Sequence, residues 1–338
     1  MTIWDEGPSR RDMMKAAGLG LGAALVGTPA APAVAANDSF YTADYWAKKG
    51  DVPIYLYRKR ASAPKPGAKP LPALLLVHGS SISSRPTFDL TVPGAGEYSM
   101  MNVFARLGYD VWTVDCENYG RSGRTDGNAD IKTGVEDLRA ASDVVMRAAG
   151  VPRFHIMGES SGALRAGAFA MAEPGRVDRL VLEAFTWTGK GSPTLAKRAE
   201  QVEFFRAHNR RKRDRDMIRS IFTRDKPGTS DPRVAEALAD AELQFGDTVP
   251  TGTYLDMTAN LPVVDPARVH APVLILRGEY DGIASLEDIL EFYRKLPNPD
   301  RQFAMLPGAA HAVTLGLNRA QLWHAMHAFL AMPPRADV

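Results

Sequence analysis

Gly158-Glu159-Ser160-Ser161-Gly162 sets one serine at the centre of a G-x-S-x-G, after the apolar run 154–157 and before the small-residue stretch 163–171. Strand, tight turn and helix in that order hold the serine oxygen out at the end of the strand, because the flanking glycines let the backbone turn sharply. The Ser161 amide then points into the same space, where it can donate to a developing negative oxygen. With 29 glycines in the chain such a pentapeptide also arises by chance. The weight therefore rests on what stands at the ends of the other apolar runs.

Three further groups stand there. His78-Gly79-Ser80-Ser81 follows the run 73–77. A backbone amide of that turn, Ser80 in the first place and Ser81 as its alternative, is expected to complete an oxyanion hole with Ser161. His78 itself reads as a turn histidine rather than a base, and Ser81 as a substrate contact. Arg277-Gly278-Glu279-Tyr280-Asp281 follows the run 273–276, and Pro307-Gly308-Ala309-Ala310-His311 follows the run 302–306. Asp281 is expected to orient His311, and His311 to take the Ser160 proton. Glu183, at the end of the run 180–182, is a second acid candidate, and the spacing leaves the choice open with Asp281 favoured.

The order Ser160, Asp281, His311 resembles that of the α/β-hydrolase superfamily over about residues 52–330. Asp115-Cys116-Glu117-Asn118-Tyr119-Gly120-Arg121-Ser122-Gly123 resembles the D-x-x-G-x-G-x-S loop of that superfamily, with Tyr119 where glycine is frequent. The resemblance implies an α/β fold with a mostly parallel central sheet flanked by helices, a helical cap inserted into it, and nucleophilic catalysis without metal or organic cofactor. It also implies that a glutamate near Glu183 serves as triad acid in some branches, including haloalkane dehalogenases and some lactone hydrolases. Serine rather than aspartate at the elbow argues against a dehalogenase or an epoxide hydrolase.

The elements that must position these residues are legible as alternation. Run 73–77 is continuously apolar, as for a strand buried on both faces, with 109–114 and 272–277 as further buried strands and 154–157, 179–182 and 302–306 as strands of the same alternation. Run 52–58 alternates and is expected as an early edge strand. Helices are expected over 133–149, near 286–296 and over 319–330. Strands alternating with such helices imply right-handed crossovers. Residues 188–269 break the alternation and are expected to form the cap, so the core is split into 37–187 and 270–338. The run Arg210-Arg211-Lys212-Arg213-Asp214-Arg215-Asp216 reads as a solvated helix face, with binding of an anionic substrate or partner as the alternative. Phe185, Trp187, Phe204 and Phe205 suggest an apolar or aromatic substrate group near the cap entrance.

Residues 1–36 read as an export leader. Arg10-Arg11 precedes a weakly apolar run and an A-x-A ending at Ala35 and Ala36. It resembles a twin-arginine signal, with methionines at two usually bulkier apolar positions. The expectation is passage through the twin-arginine machinery to the periplasm or outside, with no membrane anchor after cleavage. The 338 residues bury a sizeable core, and 41 basic against 39 acidic residues give no reason to invoke nucleic acid. A single cysteine excludes an intramolecular disulfide. The composite expectation is an exported serine hydrolase of a small ester or lactone. A serine-triad C–C bond hydrolase, or another acyl-transfer enzyme on this fold, is the alternative, and a non-catalytic binding protein is the most distant one.

Overall fold

The computed structural model of the protein describes residues 39–333, so the expected leader lies outside the described residues. An eight-stranded sheet carries the fold, in the order β1-β2-β4-β3-β5-β6-β9-β10. The strands are β1 (Tyr41–Lys49), β2 (Val52–Arg60), β3 (Ala73–Val77), β4 (Asp110–Val114), β5 (Phe154–Glu159), β6 (Val177–Glu183), β9 (Val273–Gly278) and β10 (Arg301–Leu306); β7 (Arg210–Lys212) and β8 (Thr248–Pro250) pair elsewhere. From β4 to β10 every neighbouring pair in this sheet is parallel. β3 and β4 are buried at every residue, the outcome expected when helices cover both faces.

One expectation is corrected here. The strand at 52 is not an edge: β2 pairs antiparallel with β1 on one side and with β4 on the other. β1 is one edge and β10 the other, and β1 alternates between half-buried and exposed from Tyr41 to Trp46 before Ala47, which is buried. Gly50 at φ +58 makes the tight connection between β1 and β2.

The helices of the core are α1 (Ser84–Phe88), α2 (Met100–Arg106), α3 (Ile131–Ala149), α4 (Ser161–Ala172), α10 (Leu286–Lys295) and α11 (Arg319–Leu330). α3 begins where Asp130 accepts from the Thr133 amide and ends at Gly150 in the left-handed region, a capped helix of the length its apolar stripe demands. α3 and α4 cover one face of the sheet, with Leu138, Ala141, Val145, Leu164 and Phe169 in its apolar cluster. α2 and α11 cover the other, with Phe104, Leu322, Met326 and Phe329.

Between β6 and β9 the chain leaves the sheet. It forms α5 (Pro193–Ala199), α6 (Val202–Ala207), α7 (Arg215–Thr223), α8 (Pro232–Glu242) and α9 (Gly252–Leu255). β7 and β8 form a small antiparallel ladder inside this insert, so it is not wholly helical. The basic run is also not one solvated helix face. Arg210–Lys212 is strand, Arg213 is buried against Glu242, and Arg215 opens α7. An apolar cluster joins Ile218, Phe222, Val234 and Leu238 of the insert to Ile82, Leu90, Tyr98 and Leu315 outside it. The insert and the loops beside it therefore share an apolar cluster at this end.

Candidate active site

Ser160 sits between β5 and α4 at φ 57, ψ −120, a conformation side chains rarely adopt. The two glycines of the motif explain how the turn closes. A Cβ on Gly158 would overlap the Gly162 carbonyl, and one on Gly162 would overlap the Val77 carbonyl at the end of β3. The Ser160 amide donates to the Glu183 carbonyl at 2.9 Å, which ties the elbow to the end of β6. Gly162→Ala is therefore expected to destabilise the fold by about 3 kcal/mol or more, because the clash is with backbone and not with a movable side chain. A thermal midpoint within a degree or two of wild type would contradict this packing.

His311 reaches the elbow from the loop after β10. Its Nε2 lies 3.1 Å from Ser160 Oγ, and its Nδ1 lies 2.9 Å from Asp281 Oδ1. With the carboxylate accepting the Nδ1 proton, Nε2 is left as the acceptor for the serine hydroxyl. The loop carrying Asp281 is braced by that of His311, since the Tyr280 amide donates to the Ala309 carbonyl at 2.9 Å. All three side chains are buried, with Ser160 7%, His311 6% and Asp281 1% exposed. Burial would raise the Asp281 carboxyl, but His311 and the Ile283 amide more than offset it and hold it below its ordinary value.

Glu183 is placed close by but not on the histidine. It is fully buried, and neither carboxylate oxygen has a hydrogen-bond partner among the described residues. Burial, reinforced by Glu159 and Asp281, pushes its carboxyl well above the ordinary value and favours the neutral acid. Glu159, its partner in the β5–β6 register, is likewise raised by burial. Asp225 of the insert is a carboxylate that the sequence did not single out. Asp225, Asp281 and His311 each present a ligand-type atom within 4.8 Å of the others. Most of those atoms are engaged: both Asp225 oxygens accept from Arg224, and Asp281 Oδ1 and His311 Nδ1 hold one another, while Asp281 Oδ2 has no hydrogen-bond partner among the described residues.

The turn after β3 is pinned by groups that sequence reasoning missed. Tyr119 Oη donates to the Ser80 carbonyl at 2.9 Å, Thr253 Oγ1 donates to Ser80 Oγ at 2.8 Å, and Ser80 Oγ donates to Ser161 Oγ at 2.8 Å. Ser81 Oγ meets the Tyr254 hydroxyl at 2.6 Å. Arg165, buried on α4, donates to the His78 carbonyl at 3.2 Å. His78 Nε2 accepts from the Cys116 amide at 3.1 Å, and burial, with Arg165 near, pushes its pKa down to about 3. A neutral, doubly engaged imidazole is a fixture of the turn and not a base. The insert holds the same turn from outside. Arg213 Nη1 donates to the Ser81 carbonyl at 3.1 Å, and Glu242 accepts from the Ser83 amide at 3.0 Å and its hydroxyl at 2.6 Å.

A cavity of about 40 Å³ opens onto these groups, lined by Gly79, Ser80, Ser81, Glu159, Ser160 and His311, with Arg198, Ile221 and Arg224 from the insert. Phe185 and Trp187 are not in its wall, which corrects their expected role. Phe185 is buried against Phe292 of α10 at 4.7 Å between ring centroids, and Trp187 donates its indole N–H to the Val264 carbonyl. Phe205 packs on Tyr254, and Phe204 is exposed and stacks on His208. The chain turns after β6 so that these aromatics brace the insert instead of facing the serine.

The sheet order, the strained serine between β5 and α4, and the relay to His311 and Asp281 define an α/β-hydrolase. The serine aminopeptidase, S33, family matches residues 92–317, and the chain belongs to that family. That span includes Ser160, Asp281 and His311 and begins after the turn at His78. A curated relative from Paraburkholderia phymatum, a 2-hydroxy-6-oxononadienedioate/2-hydroxy-6-oxononatrienedioate hydrolase, is 34% identical over 132 residues, which is 36% of this chain and 38% of that protein. The match thus spans well under half the length of that relative. A second such hydrolase, from Pseudomonas putida, is 28% identical over 206 residues, covering 56% of this chain and 67% of its own. Among solved structures, a 2-hydroxy-6-oxo-6-phenylhexa-2,4-dienoate hydrolase from Rhodococcus sp. strain RHA1 superposes with TM-score 0.61 at 17% identity, over 87% of this chain and 100% of the other. An E-2-(acetamidomethylene)succinate hydrolase superposes with TM-score 0.63 at 17% identity, over 86% and 100%. At those identities the structural likeness is one of fold.

Proposed function

We propose that the protein is a serine-triad hydrolase of carbonyl compounds and that the bond it breaks is carbon–carbon. The observation that carries the first part is the relay Ser160–His311–Asp281, hydrogen-bonded at 3.1 and 2.9 Å. Ser160 attacks the carbonyl carbon while His311 takes its proton, and the Ser161 amide, unpaired within its helix, receives the oxyanion with an amide of the Ser80–Ser81 turn. His311 returns the proton to the departing group, and water releases the acyl chain by the same steps.

The relatives supply the second part. A 2-hydroxy-6-oxononadienedioate carries a ketone, an enol and two carboxylates but no ester or lactone. Its hydrolysis must therefore break a carbon–carbon bond beside the ketone. The departing carbon leaves only as a stabilised enol, which the 2-hydroxy-diene provides once it shifts to its keto form. In this reading His311, which takes the Ser160 proton, returns it to that carbon. The relay serves an ester equally well, so the substrates must be compared directly. With 2-hydroxy-6-oxononadienedioate, loss of the dienol absorbance is expected at a kcat/KM on the order of 10⁴ M⁻¹ s⁻¹ or above, the lower range for enzymes on their own substrates. Aryl esters and lactones are expected to fall well below it. The reverse ranking would return the ester or lactone expectation to first place.

A further inference from the structure

Most arginines of the insert are already engaged: Arg210 donates to the carbonyls of Thr125 and Gly127, and Arg224 is paired with Asp225. Arg206, Arg213, Arg215, Arg219 and Arg233 each hold a carboxylate within ion-pair distance. Lys197, Arg198 and Arg211 hold none among the described residues, and all three line one outer cavity of about 460 Å³. Arg224 completes its cationic lining and is matched there by Asp225. Arg198 and Arg224 also line the small cavity at Ser160, so they stand where the two cavities meet. The inner space is about the size of one or two waters and takes little more than the reacting carbonyl. The remainder of a substrate must lie in the outer cavity, against those cations.

The cations are held and not merely solvated. Arg198 and Arg211 lie over the Tyr254 ring, at 5.2 and 4.7 Å from its centroid. The hydroxyl of that ring meets Ser81 at 2.6 Å in the turn beside the serine. Arg198 Nη1 is buried without a partner. Burial and the charges of Arg224 and Arg211 outweigh Tyr254 and Asp225 and pull its pKa down to about 10. Burying an uncompensated cation is costly unless something arrives to neutralise it.

We propose that this outer cavity is a carboxylate-binding subsite, in which Arg198 and Arg211, with Lys197 at the rim, receive an anionic group carried on the substrate away from the scissile carbonyl. This rests on the reading of Ser160 as the reacting serine. A carboxylate fits better than a phosphate head, because Asp225 on the same wall repels a second negative charge. The planar forks of two arginines suit a carboxylate's paired oxygens.

The test is equilibrium binding of adipate to the full chain by calorimetry, with 1,6-hexanediol as its uncharged counterpart. Adipate is expected to bind and hexanediol not, and adipate binding is expected to weaken steeply with added sodium chloride. Arg198→Gln together with Arg211→Gln is expected to weaken adipate about tenfold or more, while Arg206→Gln, outside both cavities, keeps wild-type affinity. Equal binding of the two probes, salt-independent binding, or phosphate binding more tightly than adipate would overturn the assignment. The salt series on the unaltered chain decides the matter even if the double variant is misfolded. Fluorophosphonate labelling is run beside it. Adipate bound through the arginines with Ser160 unlabelled would fail the hydrolase reading and leave the subsite standing.

Discussion

Ser160→Ala is expected to abolish fluorophosphonate labelling and to lower kcat by roughly 10⁴-fold or more, the scale on which triad knockouts act. The hydroxyl is the only group at the elbow aligned with a histidine nitrogen, at 3.1 Å. Its backbone torsions are strained, and alanine inherits them without gaining anything from the geometry. Ser161→Ala is the control that makes the prediction specific. Its hydroxyl only accepts from Ser80 Oγ, and its amide survives the substitution, so a loss of about tenfold or less is expected. A dead Ser161→Ala beside an active Ser160→Ala would mean that the reacting serine is the neighbour. An unlabelled wild type would favour a non-catalytic binding protein.

Asp281→Asn is expected to lower kcat by roughly 10³–10⁴-fold with the fold intact. Asp281 Oδ1 accepts from both His311 Nδ1 and the Ile283 amide, at 2.9 Å each. Asparagine carries no charge, and with its amide nitrogen turned towards the imidazole it donates where Asp281 accepts. The tautomer that leaves Nε2 free for Ser160 is then no longer enforced, and the imidazolium of the transition state loses its negative partner. Glu183→Gln changes little of this. A carboxyl held neutral by burial is replaced by another neutral group of the same shape, so kcat is expected to stay within about tenfold of wild type. Circular dichroism of both variants separates misfolding from lost chemistry. If Glu183→Gln carries the large loss and Asp281→Asn does not, the working acid stands at the end of β6.

Much of the fold was legible because a strand buried on both faces needs an unbroken apolar run, and a parallel sheet puts reactive turns at one end of each run. Ser160 and Asp281 follow such strands, His311 follows β10, an edge strand buried only in part, and the structure brings the three together. β1 escaped because its half-exposed face carries Asp44, Trp46 and lysines that look like a polar arm. The ladder of β7 and β8 escaped because it joins segments far apart in sequence, each of three residues, too short to show a period. The arginines of the outer cavity escaped for another reason. Arg198 comes from α5 and Arg211 from β7, and nothing local distinguishes them from paired neighbours such as Arg206 or Arg213. Phe185 and Trp187 misled because aromatic character is equally what a hinge under α10 requires.

Arg213 and Glu242 give the insert a second property. Both belong to it, yet they hold the carbonyl of Ser81 and the amide and hydroxyl of Ser83 outside it. The insert, whose arginines are proposed to receive the substrate, thus also holds the turn beside the serine. A lid grafted from a relative would bring new walls but leave that turn without its anchor. Removing one side of such a buried pair costs about 3–5 kcal/mol. Point changes that preserve Arg213 and Glu242 are therefore expected to alter specificity at less cost to the fold than exchange of the whole insert.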